Sequence, residues 1–93
     1  MLETFTVDTF SGRTGERFKL DLEGHEPLEL ELVEVTELGA PGAERRTQFS
    51  IVFGGPAEPL LPQRIYRVEH PEIGAFDIFL VPIAPGTYEA VFT

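Results

Sequence analysis

Apolar and polar residues alternate with a period of two along most of this chain, the spacing of strands with one buried face. Residues 16–23 are the clearest case, with Phe18, Leu20 and Leu22 set between charged neighbours. Leu28–Leu38 continues the pattern through Leu28, Leu30 and Leu32, then slips by one residue to Val33 and Val35. A one-residue slip turns side chains to the opposite face, so it predicts a β-bulge near Leu32-Val33 or a strand crossing between two layers. A third strand is read over residues 45–53, with Phe49, Ile51 and Phe53 inward, ending at Gly54-Gly55-Pro56.

Residues 62–83 read as a hairpin around which the remainder must fit. Its first strand sets Ile65, Arg67 and Glu69 against Tyr66, Val68 and His70, and a tight turn containing Pro71 and Gly74 follows. In its second strand Phe76, Ile78 and Leu80 face one way and Phe79, Val81 and Ile83 the other, with Asp77 the only charge. A strand this apolar is expected to be central and covered on both faces. Pro85-Gly86 suits the middle of a type II turn, and Thr87–Phe92 gives the sixth strand.

Residues 6–12 predict one or two helical turns, with Thr4 or Thr6 as N-cap, Asp8 near the positive end and Gly12 as the stop. Phe5 and Phe10 would then plug one end of the sheet; a short strand is the competing reading. Residues 39–44 have loop composition. Pro56, Pro59 and Pro62 exclude ladder bonding and make the link a stiff crossover, with Leu60 and Leu61 tucked against the fold. Six regularly spaced strands give an all-β class: one antiparallel β-barrel or sandwich over residues 1–93, its core carried chiefly by strands two, three, five and six.

Composition narrows the function more than the fold. Ninety-three residues make a single domain that buries roughly 60–65% of its extended surface. The absence of cysteine removes disulfides, thiolate metal sites and cysteine nucleophiles. A net charge of −9 opposes nucleic-acid binding, because Arg45-Arg46 and Arg64/Arg67 are too few to offset it. The first residues carry no basic and apolar leader pattern, and no run is long enough to span a membrane. The expected location is cytoplasmic, or within an assembly exported without a signal peptide.

Candidate chemistry is sparse. His70 lies beside Glu69 and Glu72, yet strand neighbours point to opposite faces, so Glu69 and His70 do not converge on a metal and His70 is read as capping the hairpin. His25, between Gly24 and Glu26, reads as a turn residue. Glu29, Glu31 and Glu34, or Asp21 and Glu23, alternate with core leucines as on a solvated strand face, and no calcium-loop spacing is present. Ser11 and Ser50 lack the context of a nucleophile, and Gly54-Gly55 is followed by neither a helix nor a lysine. No catalytic residue, metal or cofactor is expected.

What remains is surface. Tyr88, Ala90 and Phe92 lie on one face of the last strand, which makes it the first candidate edge for a protein partner, although burial inside the monomer is the stronger reading. Phe49, Phe53, Tyr66 and Phe76 are the candidate lining of a ligand pocket. The segments Gln48-Phe49-Ser50-Ile51-Val52-Phe53-Gly54-Gly55-Pro56, Leu61-Pro62-Gln63-Arg64-Ile65-Tyr66-Arg67-Val68-Glu69-His70-Pro71, Ile73-Gly74-Ala75-Phe76-Asp77-Ile78-Phe79-Leu80-Val81-Pro82-Ile83 and Tyr88-Glu89-Ala90-Val91-Phe92, with the Phe10, Gly15 and Phe18 spacing, resemble a family of small uncharacterised bacterial domains. This chain departs from that pattern at Arg64, where the family commonly has Gly after Leu-Pro-Gln. The resemblance implies an association with phage-tail-collar-like proteins and brings no catalytic residue. The expected function is a non-enzymatic interaction module in a tail-like or cell-surface assembly, with a protein partner and room for homo-oligomers. The alternative is a small-ligand-binding β-barrel.

Overall fold

The computed structural model describes residues 7–22, 24, 26–38, 48–57 and 61–92. The expectations for Thr4, Phe5, Thr6, His25, Leu60, Arg45-Arg46 and the loop at 39–44 fall outside them. One short helix, α1 (Val7–Phe10), precedes six strands: β1 (Arg17–Leu20), β2 (Leu28–Leu38), β3 (Gln48–Gly54), β4 (Arg64–His70), β5 (Gly74–Ala84) and β6 (Thr87–Phe92). They close into an antiparallel barrel in the order β1-β2-β3-β6-β5-β4. Two meanders, β1-β2-β3 and β4-β5-β6, therefore meet along two seams, β3 with β6 and β1 with β4.

The period-two pattern sets the inside of the barrel. Phe18 and Leu20, Leu30 and Leu32, Phe49, Ile51 and Phe53, Tyr66 and Val68, Phe76, Ile78 and Leu80, and Tyr88, Ala90 and Phe92 are all buried. All six strands thus feed the core, not chiefly the four that local pattern favours, because closure gives every strand an inner face. The one-residue slip in β2 is a bulge: Leu32 pairs with Phe53 but Glu34 with Val52, which leaves Val33 as the extra residue. Val35 then rejoins the inner side and packs against the core. A second bulge lies in β5, where Pro82 pairs with Tyr88 and Ala84 with Thr87, leaving Ile83 as the extra residue.

The helix stops one end of the barrel. Ser11 N–H donates to Val7 O at 2.8 Å, and Gly12 at φ 86° takes the left-handed conformation that ends the turn. Phe10 is fully buried, its ring centroid 6.4 Å from Phe18, 6.0 Å from Phe49, 6.1 Å from Phe76 and 5.5 Å from Phe92. Near the other limit of β3, Gly55 N–H donates to Gly86 O at 2.7 Å, and a Cβ on Gly86 would lie 2.6 Å from Gly55 O. The Pro85-Gly86 turn must stay bare there.

Two sequence expectations need correction. The last strand is not an edge: β6 is hydrogen-bonded to β3 on one side and β5 on the other. Nor is β5 covered on both faces, because a closed barrel has a single interior and the side chains pointing away from it meet solvent. Phe10→Ala should cost about 3–5 kcal/mol by opening a cavity among four rings. Denaturant unfolding should show the midpoint falling with an unchanged slope, as expected when the native state loses packing but not its extent.

Candidate functional site

Three features of the surface bear on function. The first is the outer wall formed by β4, β5 and β6. Ile65 is 65% exposed, Phe79 47%, Ile83 52% and Val91 55%. Ile65 and Phe79 are direct cross-strand partners. Val81 pairs with Glu89, so Val91, two residues further along β6, lies in the direction that leads from Val81 to Phe79. The chain therefore turns an apolar stripe outward across three adjacent strands, with half-buried Val81 between Phe79 and Ile83.

The second is a groove of about 940 Å³ between the start of β4 and the segment that links β1 to β2. Its lining combines apolar Leu22, Leu28, Leu61 and Pro62 with the carboxylates Asp21 and Glu26 and with Arg64, Ile65, Tyr66 and Arg67 of β4. Tyr66 is fixed at both ends: its hydroxyl donates to Pro62 O at 2.6 Å, and the Arg64 guanidinium lies over its ring at 5.8 Å. Burial raises the Tyr66 hydroxyl above its ordinary value of 10.0, against the opposing pull of Arg64. Arg67 instead reaches Asp77 at 3.4 Å.

The third is a polar cluster around His70, which joins the β4–β5 turn to the α1–β1 segment. His70 Nδ1 accepts from Glu72 N–H at 3.1 Å and Ile73 N–H at 3.3 Å, so this nitrogen carries no proton and Nε2–H donates to Glu16 Oε1 at 2.7 Å. The ring packs against Phe18 at a tilt of 39°, with centroids 4.5 Å apart. Arg13 extends the cluster, donating to Thr9 O at 3.0 Å, to Glu16 at 3.4 Å and to Glu72. With Nδ1 filled by two amides and Nε2 by a carboxylate, the imidazole holds the turn and has no nitrogen left for proton transfer. Among the described residues, no group of three or more His, Asp or Glu side chains is arranged to hold a metal ion.

The residues singled out from sequence are distributed differently from expectation. Tyr88, Ala90 and Phe92 point into the core: Tyr88 Oη accepts from Leu61 N–H at 3.1 Å, Ala90 pairs with Ile51, and Phe92 stacks on Phe49 at 4.6 Å. Phe49, Phe53 and Phe76 are part of the packed barrel interior, and Tyr66 alone of the four borders the groove. Glu29 lies on the solvated face, 3.1 Å from Arg17, and Glu34 accepts from Thr36 Oγ1 at 3.2 Å. Sequence reading missed the Glu16–His70 contact, which joins residues 54 positions apart. It also missed the outward stripe, although Phe79, Val81 and Ile83 were its visible signal.

Removing the His70 ring orphans two amides, so His70→Ala should cost about 2–3 kcal/mol by denaturant unfolding. His70→Asn, which can place an acceptor near the Nδ1 position, should recover part of that loss. Arg13, through its hydrogen bond and then its charge, holds the Glu72 carboxyl below the ordinary value of 4.5. A lowered folded-state value stabilises above the unfolded value, and the benefit is lost as pH falls through the lowered one. Thermal melts from pH 6 to 2 should therefore show a shallower decline below about pH 4.5 for Glu72→Gln than for the parent chain.

No curated protein and no solved structure matches this sequence. Among the described residues, no helix is long and apolar enough to cross a membrane. The family model for DUF6916, a domain of unknown function, matches residues 5–92, and the chain belongs to that family.

Proposed function

We propose that this domain is a non-enzymatic protein-interaction module, and that the outer wall of β4, β5 and β6 is its contact face. The observation that carries this reading is the stripe of Ile65, Phe79, Ile83 and Val91, large apolar side chains about half or more exposed on neighbouring strands. Contiguous exposed apolar surface on a small domain is a mark of association. The rigidity of a closed barrel supports it, since the stripe is presented without ordering a loop. The polar clusters point the same way: the His70 ring and the Arg13, Arg17 and Arg67 ion pairs are committed to internal contacts.

The resemblance to small bacterial domains associated with phage-tail-collar-like proteins suggests the setting, an accessory subunit of a tail-like or cell-surface assembly. A net charge of −9 favours a partner face with basic groups around an apolar centre. A second reading, a small-ligand-binding barrel, is favoured by one observation, the groove beside Tyr66, whose volume falls within the range of small-molecule sites.

The double variant Phe79→Glu with Ile83→Glu separates the readings. Both positions are solvent-exposed, so the thermal midpoint should move by no more than a few degrees. A tagged parent chain should recover a specific partner from native cells, and the double variant should lose it by tenfold or more. Equal recovery by both proteins would remove the wall as the contact face.

A further inference from the structure

We propose that Glu89 is the anchor of the contact face, a lone carboxylate among apolar side chains that receives an arginine set between aliphatic residues of a protein partner. This rests on the interaction-module reading and names the partner chemistry of the same wall.

Tyr88 and Ala90 are buried in the core, so the alternation of β6 turns Glu89 outward between Thr87 and Val91. The ladders then fix its neighbours. Glu89 pairs with Val81 of β5 on one side and with Val52 of β3 on the other. The next outward positions on β5 are Phe79 and, at the bulge, Ile83; those on β3 are Ser50 and Gly54. None of these residues is charged. Glu89 is itself half-buried, and among the described residues it has no ion pair.

The chain's own described cations are placed elsewhere. Arg13 is paired with Glu72, Arg17 with Glu29 and Arg67 with Asp77, while Arg64 lies over the Tyr66 ring. Lys19 is on β1, which stands across the ring from β6. Folding gains nothing from a charge in that setting, because its hydration is curtailed and nothing within the chain compensates. A cation brought by another molecule does compensate, and the surrounding apolar side chains then exclude water from the pair. Arginine is the suitable cation: a guanidinium is more weakly hydrated than an ammonium and meets a carboxylate through two parallel N–H bonds. Apolar residues on either side of it cover Phe79, Val81, Ile83 and Val91. On an extended segment, where alternate residues share a face, the matching motif is apolar-x-Arg-x-apolar.

The test is an NMR amide-shift titration of the full chain with a capped pentapeptide, Val-Thr-Arg-Thr-Val. Saturable shifts are expected at Val52, Val81 and Glu89, weakened at least fivefold by Glu89→Gln and by Lys in place of Arg in the peptide. Glu89→Arg should instead select Val-Thr-Glu-Thr-Val. The thermal midpoint of Glu89→Gln should rise or stay within about 4 °C of the parent, since the carboxylate holds nothing in the folded chain. A larger fall overturns the anchor by showing that the carboxylate is structural. Absence of shifts up to tens of millimolar peptide, shifts centred on the acidic outer face of β2, equal binding of the Lys peptide, or indifference to Glu89→Gln also overturns it. The wall is read separately, on the native partner. Loss of that partner by Phe79→Glu with Ile83→Glu, but not by Glu89→Arg, would leave the wall standing and remove the arginine anchor.

Discussion

Closing a sheet of six strands creates an interior that must be filled and ends that must be stopped, and in this chain Phe10 meets much of that demand. One turn of helix delivers a ring into contact with aromatic side chains of β1, β3, β5 and β6. Rings suit the task because each covers a large apolar area while losing few torsions. Phe18, with Phe53 at 5.2 Å and His70 at 4.5 Å, carries the same contact network toward β4 and its turn. The barrel is consequently one connected aromatic cluster surrounded by shorter aliphatic side chains.

The two bulges show how a period-two sequence is reconciled with closure. An extra residue lets a strand bend and twist beyond what a regular ladder permits. In β2 that residue is Val33 and in β5 it is Ile83, and both side chains end up outside. For Val33 the consequence is modest, since Glu34, Thr36 and Glu37 around it are exposed and polar. For Ile83 it lengthens the apolar stripe already formed by Ile65, Phe79 and Val91. Barrel geometry and surface character are thus set by the same insertion.

What could be read from sequence is what depends on near neighbours in the chain. Strand alternation, the slip at Val33, the Pro-Gly turn and the helical turn ending at Gly12 are all encoded within a few residues, and the structure contains each of them. Pairing between distant strands is another matter: nothing local in Thr87–Phe92 indicates that β3 and β5 will flank it, so Tyr88, Ala90 and Phe92 resemble an edge until the ring is closed. The two apolar faces of β5 were visible, but periodicity cannot say whether a second layer covers the outer one. The groove draws residues from 21–28 and 61–67, and the His70 cluster from residues 9–16 and 70–73, so neither existed as a contiguous motif. Arg64 stood out in sequence only as a departure from glycine, and its position over Tyr66 required the fold.

The brevity of β1 has a bearing on how the chain reaches its native state. Each meander is built from neighbouring segments, whereas joining β1 to β4 closes a loop of nearly fifty residues for two register pairs and a single further hydrogen bond. Loop closure of that length is compensated late, after the local hairpins have formed. The native barrel then has a built-in line of least resistance, along which it would part before either meander came undone.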